Sequence, residues 1–223
     1  MLWMNEEIMK IMDAIDNVRD TIRAADKAAM DYWHTDSKRS NQAYADKARA
    51  ELILEMLSDN MDEALFRSVF PGVLSILNKY AGKPIGDKTK EKIRAEAKTR
   101  FDCSVWLSFR YDGRLEAINI NPLGKDGFNS TYARSIAVYT RYKNDAGQEL
   151  SFFNGNKLQP LSEDMFTFRA HVHEDPEADV DKIYAFRKMF RDVENDVNKL
   201  INDYNALLPS NKDGLPHVYI KAY

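Results

Sequence analysis

The sequence predicts an α+β fold. Long helices lie toward both ends of the chain, a helical region follows the first, and a mainly antiparallel sheet of about five to six strands lies between. Three observations predict it. Apolar residues hold a 3.5-residue period over the first four heptads, the same period returns after residue 175, and between them the period falls to two. Runs of helix, then strands, then helix define the α+β class.

The first helix rests on Met4, Ile8, Ile11, Ile15, Val18, Ile22, Ala25, Ala29 and Tyr32, which step by fours and threes. No proline or glycine interrupts them. The last helix rests on Ile183, Phe186, Phe190, Val193, Val197, Leu200, Tyr204 and Leu207, opened by an Asp175 cap and Pro176 and closed by Pro209 and Gly214. Each would span about 30 residues, or roughly 45 Å at 1.5 Å per residue. One apolar stripe does not stay in water. The two seams are therefore expected to pack on each other, or on the helices between them, or one on a second copy.

Residues 40–100 also read as helical, with Tyr44, Ala48, Leu52 and Met56 at helical spacing. Asn60 with Glu63 resembles a capping box that would start a new helix. Pro71 and Gly72 are expected to kink or divide that helix. Asp87 would cap a short charged helix.

From Phe101 the alternation is that of a strand. Asp112-Gly113 supplies a two-residue hairpin turn, and LEAINI returns. YARSIAVYTRY and QELSFF read as a second hairpin around NDAG. MFTFRAHVH reads as a fifth strand and HVYIKAY as a sixth. Local hairpins make the sheet antiparallel. The organisation is a helical region 1–100, a sheet region 101–174, and a segment 175–223 holding the long helix and final strand, grouped with 1–100.

Charge is unevenly spread. Residues 1–82 carry 10 basic and 14 acidic side chains, residues 83–173 carry 15 and 11, and residues 174–223 carry 7 and 10. A basic middle between acidic ends bears on partners, not on fold. The single cysteine, Cys103, cannot form an internal disulfide, and it falls among apolar neighbours as a buried, inert thiol. MLWMNEEIMK lacks the apolar run of a signal peptide, and no window is apolar enough to cross a bilayer. A soluble, cytoplasmic protein without cofactors is expected.

FTFRAHVHED (166–175) holds the strongest hint of chemistry. On a strand, Thr167, Arg169, His171 and His173 share one face. His-x-His is a genuine metal-ligand spacing, and neutral imidazole suits zinc. Arg169 beside the pair and the want of a third ligand, unless His217 supplies one, favour a solvated face instead. That face gathers aromatics among cations: Trp106 and Arg110 on one strand, Tyr139, Arg141 and Lys143 on another, then Arg169, His171 and His173. Lys92 and Lys98 extend it onto the adjacent helix. Aromatic planes among cations suit single-stranded nucleic acid, and equally a protein partner.

GKDGFNST lacks phosphate-loop spacing, and no Ser-His-Asp or His-Glu-x-x-His pattern occurs. Three classes fit. The first is a non-catalytic interaction protein, an adaptor, assembly component or inhibitor of the kind viruses and mobile elements encode. It would act through its seams, its strand face and aromatics such as Tyr32, Trp33 and Tyr223, as a monomer or homodimer. The second is a nucleic-acid-binding accessory protein using residues 83–173. The third is a metal-dependent enzyme at His171 and His173.

Overall fold

The chain opens on a helical hairpin. The computed structural model describes residues 2–207. Helix α1 spans Glu6–Tyr32 and begins where the Asn5 side chain accepts the Ile8 N–H at 2.8 Å. Glu6 and Glu7 in its first turn complement the helix dipole. Helix α2 spans Ser37–Asn78 and begins where Asp36 accepts the Arg39 N–H at 3.0 Å. The two lie antiparallel. Ser40 Oγ donates to the Ala29 carbonyl at one end, and Arg67 meets Glu7 at 2.8 Å near the other. The α1 seam faces α2: Ile8, Ile15 and Ala29 are fully buried, and the other six seam residues are half-buried. So this seam is filled within the chain, by the helix that follows it. Each buried isoleucine contributes about 1.5–3 kcal/mol.

Helix α2 runs unbroken through both places where the sequence suggests a boundary. At about 63 Å for its 42 residues it is the longest element. Pro71 sits exposed inside it. Leu65, Val69, Phe70, Val73, Leu74 and Leu77 around it are all buried, and that burial outweighs the roughly 3 kcal/mol that an internal proline costs. Gly72 has a packing role: a Cβ there would lie 2.1 Å from Cζ of Phe101. Asn60 caps nothing, because both ends of its side-chain amide hold the His173 backbone.

Helix α3 spans Asp87–Phe101, so Phe101 ends a helix instead of opening a strand. Asp102 follows in the left-handed region at φ 50° and reverses the chain into the sheet. Strands β1 (Cys103–Phe109), β2 (Leu115–Pro122), β3 (Ile136–Thr140) and β6 (Phe166–Thr167) form an antiparallel sheet in the order β1-β2-β3-β6. β4 (Phe153–Asn154) and β5 (Lys157–Leu158) form a separate two-stranded ribbon. Two expectations are corrected here. The neighbour of β3 is β6, and QELSFF touches it only through the Lys143–Glu149 bridge past the end of β3. The strand expected over MFTFRAHVH is paired only at Phe166 and Thr167.

The inner sheet face carries Cys103, Val105, Ile118, Ile120, Ile136 and Val138, all buried in one core with α2. An aromatic cluster closes it: Phe66 stacks on Phe168 at 4.6 Å, and Phe70 meets Phe166 edge-on at 5.4 Å. Trp3 is fully buried, and its Nε1 donates to the Leu123 carbonyl at 3.0 Å.

Residues up to Glu174 form one compact unit, and a second begins at Asp175. The described part of the second is helix α4, Pro176–Leu207, which opens on the expected Asp175 cap and Pro176. The strand expected at HVYIKAY, with His217 and Tyr223, lies outside the described residues. Among the described residues no helix is long and apolar enough to cross a membrane.

Candidate partner-binding surface

The registers fix which side chains share the outer sheet face. Ser104 opposes Asn121, Trp106 opposes Asn119, and Ser108 opposes Ala117. Asn119 then opposes Ala137, Ala117 opposes Tyr139, and Tyr139 opposes Thr167. This face is a floor of small and amide side chains bearing two large aromatics, Trp106 at 46% exposure and Tyr139 at 52%.

Hydrogen bonds hold the floor. Trp106 Nε1 donates to Ser104 Oγ at 2.8 Å, and Asn119 Nδ2 donates to Ser108 Oγ at 2.6 Å. Helix α3 lies against β1 and sets cations over its aromatics. The Arg94 guanidinium sits 3.5 Å from the Trp106 ring centroid, and Lys90 Nζ lies 5.5 Å from that of Phe109. Lys90, Arg94 and Lys98 fall four apart on one helical stripe. Ile93 and Ala97 on α3 are buried and fix the stripe's orientation.

The structure separates the other expected site residues. Arg110 lies 5.8 Å from the Tyr142 ring, beyond the end of β1, and is 3.9 Å from Asp112. Nearby, Phe109, Arg114, Tyr142, Lys143 and Phe153 line a recess of about 530 Å³. Arg141 is tied to Asp145 and donates to the Asp164 carbonyl. Lys92 and Lys98 are exposed on α3.

Arg169, His171 and His173 do not continue the sheet face, because the strand ends at Thr167. His171 is exposed. His173 is buried, with Nε2 3.8 Å from Asp59 and its backbone held by Asn60. The two imidazoles meet edge-on at 4.4 Å. Among the described residues no three His, Cys, Asp or Glu side chains are grouped to hold a metal ion.

The sequence offers Lys88, Lys90, Lys92, Arg94, Lys98 and Arg100 as the cations of this helix, and of the two chosen as site residues, Lys92 and Lys98, only Lys98 lies on the stripe of Lys90 and Arg94. The signal was present: buried Ile93 and Ala97 set the helical phase, and that phase turns 90 and 94 toward β1.

Asp59 and Asp62 on α2 bind Arg134. The Arg134 Nη2 donates to both at 2.7 Å. Burial raises the Asp62 carboxyl above its ordinary range, opposed by the Arg134 hydrogen bond. Cys103 is buried, and desolvation pushes its thiol up to about 12.

Comparison with family models, with curated proteins and with solved structures found no match.

Proposed function

We propose that the chain is a non-catalytic interaction protein of the cytoplasm whose docking surface is the outer sheet face around Trp106 and Tyr139, with a protein as partner. One observation carries this reading. Two half-exposed aromatics stand on a rigid, hydrogen-bonded floor whose opposite side is core. Such residues lose little side-chain entropy when covered, and aromatic anchors dominate binding at protein interfaces. The lone buried thiol accords with a reducing compartment. In the same reading, the heptad stripe of α4 is a coiled-coil surface.

A photo-cross-linking residue in place of Tyr139 tests it, with one at exposed Glu51 on α2 as the control. The expected result is a discrete protein adduct from position 139 alone, lost when Trp106→Ala is added. Identical adducts from both positions, or none from 139, would overturn the proposal.

A second reading, single-stranded nucleic acid on this face, is favoured by the placement of Lys90 and Arg94 over Phe109 and Trp106. Bases stack on aromatic planes while lysine and arginine take the phosphates. On that reading the cross-linked adduct is nuclease-sensitive. Oligonucleotide binding then falls steeply with salt and is lost in Arg94→Glu.

A further inference from the structure

Arg94 is stacked on an aromatic ring and, among the described residues, paired with no carboxylate. Its Cζ lies 3.5 Å from the Trp106 ring centroid. At that height the guanidinium lies flat on the indole, because an edge-on tilt would drive a nitrogen into the ring. Stacking occupies the faces of a guanidinium and leaves its N–H donors, which lie in its plane, pointing outward. The carboxylates of α3 go elsewhere. Asp87 lies 3.3 Å from Lys90, and Glu96 takes Lys79 and Arg100. Glu91, three residues before Arg94, forms no ion pair with it.

Trp106 is held as firmly. Its Nε1 already donates to Ser104 Oγ, and Arg94 covers one of its faces, yet the residue stays half-exposed. Ring and cation therefore form a fixed pair: an apolar plane beside an open N–H fork. The charge around the pair has one sign. The side chains that continue this face across the sheet, Asn121, Asn119, Ala117, Ala137 and Tyr139, include no acidic residue. Helix α3 carries six Lys or Arg against three Asp or Glu. Lys98, one turn beyond Arg94 on the same stripe, is exposed and forms no ion pair among the described residues.

We infer that Arg94 is a carboxylate receptor. The partner that covers Trp106 does so with an acidic segment, one aspartate or glutamate of which takes the Arg94 fork in a bidentate pair while a neighbouring apolar side chain lies on the indole. This rests on the docking reading of the Trp106–Tyr139 face and supplies the chemistry of its occupant. A polyanion fits less well. Nucleic acid gains affinity with each phosphate neutralised. Here Lys90 is engaged by Asp87 and Arg141 by Asp145, which leaves Arg94 and Lys98 beside the ring for a backbone that needs a row. The chain's net charge of −3 opposes a polyanion further. A single carboxylate needs only the one fork.

A random peptide library displayed on phage, selected on the whole chain and counter-selected on its Trp106→Ala variant, tests the inference. The selected peptides are expected to share an aspartate or glutamate next to an apolar residue. Replacing that acid with alanine in the synthetic peptide is expected to weaken binding about tenfold or more. The same replacement should cost little in Arg94→Ala, because the two groups act as one pair. Arg94→Lys, which keeps the charge and loses the fork, is expected to bind several-fold more weakly than the wild type. Peptides that require Trp106 but share no acid, or losses at the acid and at Arg94 that simply add, would overturn the inference and leave the docking face standing. Selection of no Trp106-dependent peptide would overturn both. An oligothymidylate held more tightly than any selected peptide, and released by Arg94→Ala, would mark a phosphate site and overturn the carboxylate assignment.

Discussion

The side-chain amide of Asn78 grips the backbone of Leu161 at both ends. Its Nδ2 donates to the Leu161 carbonyl, and its Oδ1 accepts the Leu161 N–H, each at 2.8 Å. Asn60 treats His173 identically, again with two contacts of 2.8 Å. The two asparagines are 18 residues apart, which is five helical turns, so they project from one side of α2. An irregular segment needs somewhere to place its backbone groups, and here the helix supplies it.

Removing that grip should cost more than an ordinary surface hydrogen bond. Asn78→Ala leaves a part-buried N–H and carbonyl without partners, for a loss of about 2–3 kcal/mol. Urea unfolding monitored by circular dichroism measures it. Asn60→Ala is expected to act more locally, with faster amide exchange at His173 as its signature.

Gly72 and Phe101 are coupled by contact. Gly72→Ala drives a methyl into the Phe101 ring and should destabilise by about 1–3 kcal/mol. Adding Phe101→Ala should cost less in the Gly72→Ala background than in the wild type, because it removes the obstruction. A double-mutant cycle on unfolding free energies reads the sign, and additivity would refute the contact.

These two sites also show what a sequence conceals. The 3.5-residue seam of α1 was legible because burial along a helix leaves a period, and its partner proved to be the adjacent helix. Asn60 with Glu63 has the local look of a cap, yet its amide is used by a residue 113 positions away. Pro71-Gly72 looks like a break, but buried neighbours on both sides carry the helix through it. Alternation correctly divided β1 and β3 into inner and outer faces, so Trp106 and Tyr139 were legible as a pair. Alternation also ran on to His173, where pairing stops at Thr167 and Asn60 takes over. No local pattern contains that information.

Cys103 should resist thiol reagents in the native state. Burial, which disfavours the thiolate, pushes its thiol up from an ordinary 9.0 to about 12. The linkage follows from the direction. The unfolded chain loses this proton first, so the group's contribution is intact below pH 9.0 and declines as pH rises toward 12. Reaction with a chromogenic disulfide should be slow at neutral pH and immediate in urea. Rapid native labelling would contradict the burial.

Asp62 should make stability pH-dependent in the less familiar direction. One of its oxygens, Oδ1, is buried without a hydrogen-bond partner among the described residues, and its carboxyl is raised above 3.8 chiefly by burial. The folded protein therefore takes up a proton more readily than the unfolded chain. This group's contribution is fullest below 3.8 and is lost as pH rises through the raised value. Asp62→Asn keeps an acceptor for Arg134 and removes the buried charge. Subtracting its stability-versus-pH curve from that of the wild type isolates this slope. The variant is expected to be no less stable than the wild type at neutral pH.

The central claim is that the Trp106–Tyr139 face is open to solvent and available to a partner. Fluorine NMR of protein labelled with 5-fluorotryptophan tests it most directly, since the chain has only three tryptophans. Trp3 is buried, while Trp33 and Trp106 are exposed. Trp106→Phe assigns the resonance, and exchanging light for heavy water reports its contact with solvent. The account predicts a solvent isotope shift for Trp106 close to that of Trp33, with essentially none for Trp3. A Trp106 resonance as insensitive as that of Trp3 would mean the face is roofed over, and the docking surface proposed here would not exist.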